Sequence, residues 1–258
     1  MQARQSASSA FVISLLVAGW GLFYLGRLRW ALILLGLILA DFLLIGLFAT
    51  PRALIVGLGV ALALKFGSAC LAAGLVWRGR AGAEPAGARL VAYAAAVIGV
   101  AALLLVLRGP LFGYQLSQIP SGSMEPTLQI GDHIISDTRL SAAPKVGDIV
   151  LYRYRNGEAF KRVAGVAGDR LEIVNGEVIV NGRNLGLFHA APEHVRRPES
   201  LSLAPTVIET GHIYLLGDRR DNSNDSRYDG QVAVADVTAK ITGIWYSKNR
   251  QRIGTTFE

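Results

Sequence analysis

Cysteine is almost absent from this sequence: Cys70 is the only one in 258 residues, and it lies inside an apolar stretch. A disulfide-stapled fold and a zinc site built on cysteines are both excluded. Charge is scarce too. Only 17% of residues are charged against 52% hydrophobic, so a purely soluble fold is not expected. Histidine occurs four times, at His133, His189, His194 and His212, and none sits in a compact polar cluster with an acidic partner. The chain has no Gly-x-Ser-x-Gly elbow, no internal repeat and no low-complexity tract.

What charge there is divides unevenly. Residues 1–107 carry eight Lys+Arg and two acids, a net +6, while residues 108–258 carry eighteen and seventeen, a net +1. The overall +7 therefore belongs to the connections between apolar runs, where it orients a membrane protein. It forms no phosphate-binding stripe, and no nucleic-acid partner is expected.

Four apolar runs approach the roughly 20 residues that a helix needs to cross a bilayer. They are about Ser9–Gly26, Trp30–Phe48, Ala53–Trp77 and Leu90–Leu107. Arg4 precedes the first, as in a signal peptide, but Arg27-Leu28-Arg29-Trp30 follows it instead of a small-residue cleavage site. It reads as a retained span. Arg27 and Arg29, then Arg78, Arg80 and Arg89, lie in or beside two of the connections, whereas Arg52 stands alone in the other. The positive-inside bias puts the five-arginine connections in the cytoplasm and both termini outside. Asp41 and Lys65 lie within the second and third runs, and an ion pair between them is expected, because lone charges at that depth are costly.

Gly79–Gly87, with Pro85, reads as a short flexible loop. From Gly109 onward the pattern changes to short runs suited to strands: His133–Ser136, Ile149–Tyr154, Phe160–Val166, Leu171–Val174, Val178–Val180, Ile213–Leu216 and Ile241–Tyr246. Asn175-Gly176 and Asn181-Gly182 mark tight turns. Residues 183–211 show little periodicity and read as a surface excursion. The expected organisation is a membrane region over 1–107 with about four helices, then a mainly antiparallel β domain over 108–258.

Three stretches carry candidate chemistry. In Ile119-Pro120-Ser121-Gly122-Ser123-Met124-Glu125-Pro126-Thr127-Leu128, two prolines and a glycine make a stiff turn presenting two hydroxyls. A serine is a poor nucleophile unless a base takes its proton, and a lysine can do so where burial lowers its pKa. Lys161, between Phe160 and Arg162 in a strand-like run, is the candidate, although by itself it reads as a solvated strand lysine. The third stretch is Gly217-Asp218-Arg219-Arg220-Asp221-Asn222-Ser223-Asn224-Asp225-Ser226-Arg227. It is either a hydrated loop or a network in which Asp225 and Arg227 brace a loop and Ser223 orients a neutral lysine.

Taken in order, IPSGSMEPTL, FKRVAGVAGD and GDRRDNSNDSR resemble the type I signal peptidases, membrane-bound Ser/Lys endopeptidases, over roughly residues 108–250. The resemblance implies a fold of antiparallel β-sheets at the outer membrane face. It matches Ser123 to the nucleophile, Lys161 to the general base and Ser121 to an oxyanion-hole hydroxyl. It matches Ser223 to the group that positions the lysine, and Asp225 with Arg227 to the supporting ion pair. Ile119, Met124, Leu128 and Phe160 fall where the family builds shallow pockets for small residues before the scissile bond. The implied partners are preprotein signal peptides and the lipid bilayer, with no cofactor and no metal.

Arg219 stands where asparagine is usual, Ala167 where proline is usual, and Ala233 where Gly-x-Val-Pro often ends. The extra amino-terminal spans are not explained by the family, whose members commonly have one or two. Two rival readings remain at this stage. One is a dedicated Ser/Lys peptidase for a single secreted, pilin or conjugation substrate. The other is a membrane scaffold that binds extended peptides without cutting them. A soluble self-cleaving regulator is excluded by the apolar runs.

Overall fold

The computed structural model describes residues 6–80, 87–106, 111–140, 142–155 and 157–257. Two compact units emerge: Met1–Phe48 with Arg52–Phe112, and Ala49–Pro51 with Gly113–Glu258.

Among the described residues of the first unit, three helices are long and apolar enough to cross a membrane: α3 (Leu28–Phe48), α4 (Pro51–Trp77) and α5 (Gly87–Val106), of 21, 27 and 20 residues. The expected first span is not one helix. The run from Ser9 to Gly26 is divided into α1 (Ala7–Leu16) and α2 (Trp20–Tyr24). Val17 is extended and Gly19 takes φ +75°, a left-handed conformation that stops the first helix and starts the second. A side chain at Gly19 would also meet the Tyr93 hydroxyl at 2.7 Å. α1 alone is about 15 Å long, half a hydrocarbon core. Ala10, Leu22, Leu25, Ala31 and Ala72 pack into one buried cluster that ties the two short helices to α3 and α4.

The expected Asp41–Lys65 pair is also absent among the described residues. Asp41 is 8% exposed, and one of its carboxylate oxygens has no hydrogen-bond partner. Its other oxygen lies 3.4 Å from where a Cβ on Gly57 would sit. The helical period explains the miss, because Lys65 is eight residues beyond Gly57, about 12 Å further along α4 and about 80° around it. The loop expected at Gly79–Gly87 falls mostly on residues 81–86 and, like Arg4 and Leu107, lies outside the described residues.

The second unit is built on two antiparallel sheets. The larger has seven strands, in the order β1 (Tyr114–Gln118), β2 (His133–Asp137), β11 (Val237–Tyr246), β3 (Ile149–Tyr154), β4 (Gly157–Val166), β9 (His212–Leu216) and β10 (Val232–Ala233). The smaller has four, in the order β7 (Arg183–Asn184), β6 (Glu177–Val180), β5 (Arg170–Val174) and β8 (Ser202–Val207). The seven runs expected as strands all form: β2 (His133–Asp137), β3 (Ile149–Tyr154), β4 (Gly157–Val166), β5 (Arg170–Val174), β6 (Glu177–Val180), β9 (His212–Leu216) and β11 (Val237–Tyr246). Asn175, Gly176, Asn181 and Gly182 all have positive φ, as the tight turns flanking β6 require. Sequence reading missed β1 (Tyr114–Gln118), the two-residue β7 (Arg183–Asn184) and β10 (Val232–Ala233), and β8 (Ser202–Val207). β8 corrects the reading of 183–211 as an excursion, since it pairs antiparallel with β5. It is an edge strand whose side chains are largely exposed, so no apolar alternation marks it.

β4 organises the functional half of this unit. It lies between β3 and β9, with Lys161 opposite Val150 and Arg162 opposite Leu216. Both of its faces are covered. Val163 packs with Val150, Tyr152, Ile213 and Leu215, while Phe160 packs against a cluster containing Met124, Leu128 and Ile134. Lys161 on this strand is left only 5% exposed.

Candidate active site

Ser123 sits on a 3-10 turn spanning Gly122–Met124. The turn is closed by the Glu125 N–H on the Gly122 carbonyl at 3.1 Å and the Leu128 N–H on the Met124 carbonyl at 2.8 Å. Ile119, Met124 and Leu128, each 2% exposed or less, anchor it to the core beside Ile134, Ile149, Ile241 and Ile244. These three are therefore a sealed floor, and of the four residues expected at the pockets only Phe160 keeps a partly open surface.

Lys161 reaches this turn from β4. Its Nζ lies 3.0 Å from Ser123 Oγ and 3.1 Å from the Phe160 carbonyl oxygen, and the residue is 5% exposed. Burial pushes the Lys161 pKa down from the usual lysine range, against the opposing pull of the Asp225 and Asp218 carboxylates. Those carboxylates are already held by arginines. Asp225 takes the Arg227 Nε at 2.8 Å and Nη2 at 3.0 Å, and Asp218 takes the Arg162 Nε at 2.9 Å and Nη2 at 2.7 Å. The lysine thus has neighbouring negative charge but no ion-pair partner of its own among the described residues.

The third stretch folds around Asp225. One of its oxygens accepts the Gly217 N–H at 2.9 Å and the Ser223 hydroxyl at 2.8 Å. Gly217 is required by close approach: a Cβ there would stand 2.1 Å from Ser223 Oγ and 2.7 Å from the Ser123 carbonyl oxygen. Ser223 is therefore beside the Ser123 turn, but the hydrogen bond it makes is to Asp225 and not to Lys161. Ser121 precedes the turn in extended conformation, exposed, and its hydroxyl does not cap the turn.

Sequence reasoning passed over five participants. Arg162 and Asp218 form a buried bidentate pair, and Arg162 also donates to the Gly147 carbonyl at 2.8 Å. Arg220 is 1% exposed and held by backbone carbonyls of Gly217 and Phe188 at 2.8 and 2.7 Å. Burial, with Arg227 nearby, lowers its pKa to about 10. Arg219 pairs with Glu125 at 2.5 Å. All five lie within or beside the three singled-out stretches, so adjacency to a candidate residue was the available signal. Two departures from the family pattern lie away from the site: Ala167 is exposed in the turn after β4, and Ala233 pairs with His212. Among the described residues no His, Cys, Asp and Glu group could hold a metal ion.

A serine hydroxyl against a buried lysine, on antiparallel sheets that follow apolar helices, defines the class of membrane-associated serine peptidases. Residues 90–246 match the family model described as Signal peptidase, peptidase S26, and the chain belongs to that family. It is a serine endopeptidase, a hydrolase of peptide bonds. It is 32% identical over 209 residues to signal peptidase I of Pseudomonas aeruginosa, covering 61% of this chain and 73% of that protein. It is 34% identical over 144 residues to probable signal peptidase I-2 of Synechocystis, covering 52% and 63% respectively. A crystal structure of a signal peptidase I from Enterococcus faecalis aligns at 26% identity and TM-score 0.33, covering 38% of this chain and 96% of that one.

Proposed function

We propose that this protein removes N-terminal signal peptides from exported preproteins, cutting after small residues, with Ser123 as nucleophile and Lys161 as its general base. The observation that carries the reading is the 3.0 Å separation of Ser123 Oγ and Lys161 Nζ in a site where the lysine is 5% exposed. Desolvation favours the neutral amine, which is the form able to take the serine proton.

The chemistry follows in balanced steps. Neutral Lys161 removes the Ser123 hydroxyl proton as Oγ bonds to the scissile carbonyl carbon. The negative charge moves to the carbonyl oxygen, where the Ser123 N–H and the uncommitted Ser121 hydroxyl donate to it. The Lys161 ammonium gives its proton to the leaving nitrogen, the peptide bond breaks, and an ester on Ser123 remains. Lys161, neutral again, takes a proton from water as that water attacks the ester carbon; the bond to Oγ then breaks, the Lys161 ammonium returns the proton to Ser123 Oγ, and the acid product leaves. Ser223 has placed its own hydrogen on Asp225, so its lone pairs are available to hold the Lys161 ammonium between steps. Asp225 with Arg227 keeps Ser223 in place. Phe160 shapes the pocket above the floor of Ile119, Met124 and Leu128, which favours small residues before the cut.

Membrane placement supports the same reading. With Arg27 and Arg29 in the cytoplasm, three crossings by helices of the length and hydropathy of α3, α4 and α5 are consistent with an extracytoplasmic β domain. Arg78, Arg80 and Arg89 then return to the cytoplasmic side, as the bias requires. The substrate chain would lie extended against a strand edge, recognised through its backbone.

Purified enzyme with a precursor ending its signal in Ala-x-Ala is expected to release one mature product of the mass set by that site. Replacing the last alanine by phenylalanine is expected to suppress cleavage. The rate is expected to rise with pH through the lowered pKa of Lys161, because only the neutral amine is a base. Equal cutting after phenylalanine would refute the pocket, and a rate independent of pH while chemistry is limiting would refute the lysine base.

A further inference from the structure

We infer that Arg219 and Glu125 form a positioning clasp that holds the Ser123 turn at its working distance from Lys161. The inference rests on the proposed nucleophile and adds residues that neither touch the reacting atoms nor belong to the matched catalytic set. Ser123 and the Gly217–Arg227 loop are far apart in sequence, and Arg219 joins them twice. Its N–H donates to the Ser123 carbonyl at 3.1 Å, and its Nη1 donates to the Glu125 carboxylate at 2.5 Å. One residue therefore grips the turn at the nucleophile itself and again two residues later.

The carboxylate end of the clasp is seated on the turn. A Cβ on Gly122 would stand only 3.0 to 3.3 Å from the Glu125 carboxyl atoms, so the acid lies over the residue just before Ser123. With Glu125 held by Arg219, the segment from Gly122 to Glu125 is closed from above, while Met124 and Leu128 anchor it from below. The carbonyl that Arg219 holds is also the one against which Gly217 is tightly packed. Where the family usually has asparagine, this chain has a side chain long enough to cross the gap to Glu125. The side chains are 37% and 26% exposed, so the pair sits at the rim and is open to screening ions.

A pair of this kind acts on the geometry of Ser123 and not on substrate affinity. Glu125→Gln and Arg219→Gln are each expected to lower kcat about three- to tenfold with KM within about twofold, as loss of a partly screened pair implies. The double variant is expected to be no worse than the weaker single, since either change opens the clasp. Raising salt from roughly 50 to 500 mM is expected to bring the wild-type kcat toward that of the variants while leaving theirs unchanged. This salt comparison needs no altered side chain in the wild-type arm.

Wild-type kcat in both single variants, additive losses in the double, a change confined to KM, or a wild-type rate indifferent to salt would each overturn the clasp. Ser123→Ala separates the two readings. If Ser123→Ala still cleaves, the nucleophile assignment is wrong. If it is inactive while both glutamine variants behave as wild type, the clasp alone is wrong.

Discussion

Replacing Ser123 with alanine, or Lys161 with methionine, is expected to stop cleavage of an Ala-x-Ala precursor, with losses on the order of 10³-fold or more in kcat. Each change removes one half of a proton transfer that neither residue can complete alone. Ser121→Ala is expected to fall short of this, by roughly 10²-fold, because the Ser123 N–H still donates to the oxyanion. The lysine variant carries a second readout that separates chemistry from folding. The Lys161 pKa is depressed in the folded protein but near 10.5 when unfolded, so the unfolded chain binds more protons between the two values. Wild-type stability therefore rises with pH across that window, and the cost of the buried lysine is largest below it. Lys161→Met, with no charge to desolvate, is expected to melt at least as high as wild type at neutral pH. Its advantage should shrink as pH approaches 10.5. The measurements are mass analysis of the products and thermal melting across pH. Processing by Lys161→Met at a substantial rate would refute the dyad, and a lower melting temperature at neutral pH would make the lysine structural.

What the sequence made legible was what neighbours in the chain decide. Strands such as Ile149–Tyr154 and the turns at Asn175-Gly176 and Asn181-Gly182 declare themselves within a few residues, and they form as expected. The site was legible as three separate stretches, because each contains its own chemistry. Their assembly was not, since Lys161 becomes buried only when β3, β9 and the Ser123 turn close around it. The same limit explains the misses. Ser9–Gly26 is apolar enough to suggest a span, but hydropathy does not report that Gly19 turns the helix back. Asp41 and Lys65 are at compatible depths when counted from Pro51, yet depth does not say which face of α4 meets α3. Arg219 read only as a departure from pattern and Glu125 drew no reading at all, and only their proximity makes them a pair.

The buried pair of Arg162 and Asp218 should dominate the stability of the peptidase unit. Both side chains are at most 5% exposed and meet through two hydrogen bonds of 2.9 and 2.7 Å. Arg162 also ties the start of the Gly217–Arg227 loop to the Gly147 carbonyl at 2.8 Å and to Thr127 at 3.2 Å. Asp218→Ala leaves that guanidinium buried with neutral acceptors alone. Breaking such a pair from one side costs about 3–5 kcal/mol, because the surviving charge has neither water nor a counter-charge. For a unit of this size each kcal/mol lowers the melting temperature by about 2–4 °C, so a fall of roughly 10 °C is expected. Replacing both partners by apolar residues of similar volume, Arg162→Met with Asp218→Leu, should recover much of the loss, since no charge is then stranded. Arg162 adjoins Lys161 and Asp218 adjoins Gly217, so the double variant should regain stability without regaining full activity. Thermal melting of the two variants beside wild type decides the matter. A single variant that melts within about 2 °C of wild type, or a double variant no better than the single, would show that the pair does not bear the fold.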